Sequence, residues 1–205
     1  MPDSPRTPVG ACRVTEQFAP SALQWAVAAR VGAWMPDLRK LPTWVDKHHV
    51  RTVVETPRGS RAKLELDAKL GVFTLSKPLL AGLTYPYDWG FIPSTKAPDG
   101  DPLDVLIIHD AATYPGLVLC CVPIGILEVE QIENGKKERN DRIFAVPDRS
   151  PFEGDLQDTR RLPARAIDEL EKFFKATDAL EPKKLHFLGW HGPSRAIKTI
   201  KKLAT

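Results

Sequence analysis

Asp99-Gly100-Asp101-Pro102-Leu103-Asp104, running straight into Val105–His109, is the stretch on which the reading of this chain turns. Asp99 and Gly100 suit a tight turn. Asp104 then opens a short, β-branched strand that ends at Asp110. Three carboxylates within six residues repel one another, and some of their pKa values rise unless cations compensate. Hard divalent cations such as Mg²⁺ do this through oxygen ligands and keep their remaining positions for water and substrate phosphates. The plain alternative is a solvated acidic turn. An isolated Asp-Gly-Asp favours that alternative; Pro102, Asp104 and the apolar strand behind them weaken it.

The β pattern extends both ways from this point. Upstream, Arg51–Thr56 reads as a strand, Lys63–Leu66 alternates, and Gly71–Ser76 holds a third alternating run. Downstream, Leu117–Val122 and Ile124–Gln131 read as strands separated by Pro123, and Arg142–Val146 is the last. Clusters such as Pro57-Arg58-Gly59-Ser60 and Glu133-Asn134-Gly135 punctuate them as turns. Many short strands with frequent turns point to a closed barrel or a sandwich. Helix is expected after Pro163, with Ile167, Leu170 and Phe174 on one face. A second helix is expected near Ser194, with Ile197, Ile200 and Leu203 inward and lysines outward. Before the strands, Ser21 can cap a helix running to about Met35, with Leu23, Val27, Val31 and Trp34 on one face. The expected fold is therefore α+β, mainly β: a barrel domain over 49–205 with C-terminal helices, preceded by an extension over 1–48 whose first 20 residues are polar and proline-rich.

Composition narrows the function classes. The chain has 205 residues, 42% of them hydrophobic and 27% charged, enough for one domain with a real core plus an extension. Net charge is +3, but residues 182–205 carry six Lys/Arg and no Asp/Glu, so the remainder sums to −3. That distribution argues against a nucleic-acid binder; the tail reads as the solvated face of the last helix. Cys12, Cys120 and Cys121 form neither a disulfide framework nor a zinc spacing, which favours a reducing, cytoplasmic setting. No signal peptide is evident, and the uncharged run Ala111–Leu127 is broken by Pro115, Gly116, Pro123 and Gly125, so no membrane span is expected.

Three further polar sets accompany the aspartates. Glu55 ends a strand, and Lys63 and Glu65 share a face of the next, either as an exposed ion pair or gathered at a barrel mouth. Tyr85-Pro86-Tyr87-Asp88-Trp89-Gly90-Phe91 reads as an aromatic loop, there for packing or to lend a phenol such as Tyr85 to a phosphate oxygen. Arg139-Asn140-Asp141-Arg142 offers guanidinium groups suited to bidentate phosphate contacts. Acids for metals, bases for phosphates and few candidate nucleophiles suggest metal-assisted hydrolysis of a phosphoanhydride. No Ser-centred elbow, Cys–His pairing, Walker-type loop or HExxH stands beside them.

These residues resemble the soluble family I inorganic pyrophosphatases from about Val53 to Trp190. Residues 99–104 match that family's DGDPxD signature. Glu55 with Pro57, Lys63-x-Glu65-x-Asp67, Tyr85-Pro86 leading to Gly90-Phe91-Ile92-Pro93, Pro123-Ile124-Gly125, Ala145-Val146-Pro147 and Gly189-Trp190 support it. The resemblance implies a closed, five-stranded OB-like barrel flanked by helices. It implies Asp99 and Asp104 as metal ligands, and Asp101 as a ligand that helps deprotonate the attacking water. Glu55 and Glu65 would hold metals or their waters, and Lys63 and Tyr85 would bind phosphate, with Tyr85 in the catalytic set. The cofactor implied is Mg²⁺, with Mn²⁺ as a substitute; the substrate is pyrophosphate, and the protein is a homo-oligomer, hexameric in bacterial members.

The departures from that pattern are specific. The phosphate-binding Arg after the third strand is Lys77, and the second tyrosine of the aromatic loop is Trp89. Two metal-binding aspartates and a lysine fall near Gln131, Asn140 and Arg142, with Asp141 or Glu130 as replacements after a small shift. Asn140 is retained as a candidate ligand and Arg142 as a candidate phosphate binder. The family's Tyr-Lys pair is Thr177-Asp178, where an acid would repel an anion unless Lys183 or Lys184 compensates. Two other functions stay open to such a chain: a hydrolase of a larger phosphoanhydride or phosphate ester, and a silent module that binds phosphate or pyrophosphate.

Overall fold

The computed structural model describes residues 36–205 apart from Asn134 and residues 151–153. The helix expected from Ser21 to Met35, with Trp25 and Trp34, lies outside the described residues. Among the described residues nine strands are formed: β1 (Val50–Thr56), β2 (Ala62–Asp67), β3 (Val72–Pro78), β4 (Asp88–Ile92), β5 (Leu103–Ile107), β6 (Val118–Glu133), β7 (Lys136–Arg139), β8 (Arg142–Pro147) and β9 (Lys183–His191). The α-helices α1 (Ala164–Thr177) and α2 (Pro193–Leu203) lie on either side of β9 in the chain.

Strand pairing closes a ring. β1 pairs with β4, β4 with β5, β5 with β8 and β8 with β6, and β6 returns to β1. Every pair is antiparallel except β5–β8. This is the closed five-stranded barrel that the resemblance implies, and it removes the open edges a sheet would leave. β6 makes the closure possible by its length. Its first residues, Val118–Cys121, pair with β1, its middle with β8, and its far end with β7 and β9.

β5 shows why a short apolar run suffices to build the core. Leu103, Val105 and Ile107 enter one cluster, which α2 covers with Ala196 and Ile200. Leu106 and Ile108 enter the opposite cluster, which α1 covers with Leu170, Phe173 and Phe174. A strand buried on both faces reads as continuous apolar sequence rather than as alternation.

The structure corrects three local expectations. Asp88–Ile92 is not part of a loop but strand β4, buried throughout. Its signal is masked because Asp88 is a buried acid, held by the Arg58 N–H at 2.7 Å, Thr113 Oγ1 at 2.7 Å and His109 Nε2 at 2.7 Å. Gly90 also breaks the alternation, and there a Cβ would sit 1.9 Å from the Val53 carbonyl oxygen. Pro123 does not divide two strands; β6 runs through it with a bulge between Pro123 and Gly125. Lys183–His191, where the sequence pattern predicts no element, is β9.

Residues before β1 lie against the barrel. Leu38 and Leu41 pack on Val53, Leu66 and Phe91. Thr43 is buried and its hydroxyl donates to the Pro93 carbonyl at 2.8 Å. Trp44 packs against the α2-side cluster, with Lys201 Nζ 5.7 Å from its ring centroid. Among the described residues no helix is long and apolar enough to cross a membrane.

Candidate active site

Strands β1, β2, β3, β5, β6, β7, β8 and β9, the turn before β5 and the turn after α1 deliver polar side chains to two adjoining cavities. Both are lined by Lys63, Glu65, Asp104, Gln131, Asn140 and Lys183, so these six form the wall between them. Lys63 and Glu65 sit two apart on β2 and point the same way, as strand geometry requires. Asp104 is the second residue of β5 and Arg142 the first of β8, and the parallel register sets them opposite each other.

The first cavity, of about 390 Å³, is acidic. Asp99, Asp101, Asp104, Glu55 and Glu65 all line it, joined by Glu133 and Glu138, against Arg39, Lys63 and Lys183 as the cations among the described residues. Burial pushes Glu55 up to about 7, with Asp104 and Glu65 adding repulsion and the Leu66 N–H, 2.9 Å from Glu55 Oε1, opposing it. Burial likewise pushes Asp104 up to about 6, against the pull of Lys63 and Arg142. Asp99 is raised by burial and by Asp101 and Glu138. Such crowding is relieved by added positive charge. Among the described residues no three His, Cys, Asp or Glu side chains converge as a preformed metal ligand set. The donor chemistry nonetheless fits a hard cation: all the donors are carboxylate or amide oxygens, which suit Mg²⁺ with water in its remaining positions.

The second cavity, of about 250 Å³, is mixed in charge. Lys63, Lys77, Arg142 and Lys183 line it, with Glu65, Asp104, Asp178 and Glu181. Arg142 is only 5% exposed, and its Nε and Nη1 have no hydrogen-bond partner among the described residues. Its guanidinium carbon lies 4.4 Å from the Phe174 ring centroid and 5.5 Å from that of Trp89. Trp89 is buried too, and its Nε1 is also unpartnered. Unpaired buried donors are costly, and an acceptor brought from outside the chain would offset that cost. Burial keeps the Tyr85 phenol well above its ordinary pKa, so it stays a donor. Lys63 is raised despite its burial, because Asp104 and Glu65 hold the ammonium charged.

All the residues expected at the site line one cavity or both: Glu55, Lys63, Glu65, Lys77, Tyr85, Asp99, Asp101, Asp104, Asn140 and Arg142. Asp141 and Glu130 do not. Asp141 accepts from the Val129 N–H at 3.0 Å and from Arg139, and Glu130 pairs with Lys137 at 3.0 Å. From β6 and β7 it is instead Glu133 and Glu138 that line the acidic cavity, and no motif in the sequence marks either. Asn140 donates to Gln131 Oε1 at 3.2 Å, so these two neutral side chains hold each other. Of the two lysines considered as compensation, Lys183 lines the site and Lys184 does not. Arg39, 3.9 Å from Asp101, carries no motif and could not have been found from its neighbours in sequence.

The model of the inorganic pyrophosphatase family matches residues 52–205. This chain belongs to the inorganic pyrophosphatase family. The pyrophosphatase of Synechocystis sp. is 38% identical over 166 residues, covering 81% of this chain and 96% of the relative. That of Nostoc sp. is 38% identical over 154 residues, covering 75% and 89%. Among solved pyrophosphatase structures, that from Thermus thermophilus superposes with a TM-score of 0.75 at 32% identity, covering 82% of this chain and 96% of that chain. The pyrophosphatase match reaches the C-terminus, past the Val53–Trp190 span that the motifs carry.

Proposed function

We propose that this chain hydrolyses inorganic pyrophosphate to two phosphates, with Mg²⁺ as cofactor and Mn²⁺ as a substitute. One observation carries the reading: a carboxylate-rich cavity shares a wall with a cavity whose buried guanidinium has no acceptor for Nε and Nη1 among the described residues. Cations belong on one side of that wall and phosphoryl oxygens on the other. Asp99, Asp104 and Asp101 would hold the metal, with Glu55, Glu65 and Asn140 around them. Bound Mg²⁺ supplies positive charge that lowers the pKa of a water and stabilises the leaving phosphate.

The chain's own residues do the rest. Asp101 orients the attacking water and takes its proton. Lys63, Arg142 and Tyr85 hold the phosphoryl oxygens by charge and hydrogen bonds that strengthen as charge develops. Lys77, opposite Lys63 across β2 and β3, is a further anion contact once its carboxylate partners Asp178 and Glu181 give it up. The protein works as a homo-oligomer in the cytoplasm, in keeping with the unpaired Cys120 and Cys121.

Phosphate release from pyrophosphate and from ATP, each with Mg²⁺, tests this. Release from pyrophosphate that chelation abolishes is expected. Release from ATP alone would favour a larger phosphoanhydride as substrate. Phosphate-induced thermal stabilisation with no turnover of either would leave a binding module.

A further inference from the structure

Lys77 is not free to meet an anion. Its Nζ lies 2.7 Å from Asp178 Oδ1 and is hydrogen-bonded to Glu181 as well. Both acids stand on the turn between α1 and β9. That turn is closed by the Ala179 N–H on the Ala176 carbonyl and the Glu181 N–H on the Asp178 carbonyl, at 3.3 and 3.0 Å. Glu181 reaches a second cation too, with its Oε2 3.4 Å from Lys183 Nζ. Asp178 is near enough to Tyr85 and Arg142 to act on both electrostatically.

The charge count of the mixed cavity follows from these two residues. Four cations face four carboxylates there, and without Asp178 and Glu181 the balance would be two positive charges. A carboxylate oxygen and a phosphoryl oxygen ask the same thing of an ammonium group, so only one of them can have it. We propose that Asp178 and Glu181 are an internal competitor for Lys77, which pyrophosphate must displace and which reclaims the lysine as phosphate leaves. They thereby weaken anion binding and hasten product departure. This rests on the proposed phosphoanhydride hydrolysis and specifies how tightly the same site holds its anions.

A purely structural ion pair, tying β3 to the turn, makes the opposite forecast: its loss would loosen the cavity and weaken binding. Asp178→Asn, Glu181→Gln and the double variant are therefore compared with the parent. Steady-state kinetics on Mg-pyrophosphate, inhibition by phosphate and melting temperature are read for each. For the double variant, KM and the phosphate inhibition constant are expected to fall about tenfold, with kcat equal or lower as product lingers. The single variants give a smaller part of that change. An unchanged or higher KM together with an unchanged or higher inhibition constant overturns the competitor. If the parent hydrolyses nothing, the proposed function fails by itself, and calorimetric titration with inorganic phosphate still reads the clamp. Tighter binding by the double variant then supports it, and equal or weaker binding overturns it.

Discussion

Arg142 is the residue where stability and function pull apart most clearly. Its guanidinium is buried between two aromatic rings, with Nε and Nη1 unpartnered among the described residues. Burying a charge with unmet donors is costly, and an apolar group of similar shape often costs less, but Asp104 and Asp178 would lose a nearby cation. The two effects oppose, so Arg142→Met is expected to melt within about 4 °C of the parent. Its turnover of pyrophosphate should be lower by about 10²–10³, the range for losing one electrostatic contact. Melting curves and kinetics on the same preparation check both halves. The residue itself was legible as a candidate phosphate binder from the Arg139–Arg142 run that leads into β8. Its isolation was not, because that depends on Phe174, which arrives from a helix far along the chain.

At the scale of elements, β4 is the strand the pattern hid. Its Gly90 lets β1 approach so closely that a methyl group would overlap the Val53 carbonyl. Gly90→Ala is expected to cost about 3 kcal/mol or more, since backbone rather than a flexible side chain must move. Denaturant unfolding measures this, and the loss should spread to turnover because β4 carries Trp89 into the mixed cavity. β1, β5 and β8 were readable because burial on one or both faces leaves apolar runs or alternation. β4 and β9 were not, for different reasons. In β4 a buried acid and a glycine replace apolar residues at key positions. In β9 side chains alternate between half-buried and exposed, among them lysines, so the run resembles a surface segment. The same limit applies to the site. The DGDPxD turn and the Lys63–Glu65 pair are local and were legible, whereas Glu133, Glu138 and the Lys77 clamp exist only once distant elements meet.

For the whole molecule, the boundary before the barrel matters. The described compact unit runs Pro36–Thr205, and Leu38, Leu41 and Thr43 pack or hydrogen-bond onto the barrel. Arg39 also reaches Asp101 from this segment. A chain shortened to residues 36–205 is expected to melt cooperatively and to keep turnover within about threefold of the parent. One shortened to 49–205 uncovers Val53 and Phe91, and is expected to lose about 2–4 kcal/mol by the burial it forfeits. Light scattering on the same proteins reads whether residues 1–35 contribute to assembly, as an unchanged subunit count in 36–205 would exclude.

All of this depends on Asp101 acting on water beside bound Mg²⁺ while Lys63, Arg142 and Tyr85 hold pyrophosphate. The most direct measurement is phosphate release from Mg-pyrophosphate by the full chain, run alongside Asp101→Asn at matched folding. Steady release by the parent is expected, abolished by chelation and at least about 10²-fold slower in the variant. Release by the parent no faster than by Asp101→Asn would contradict it.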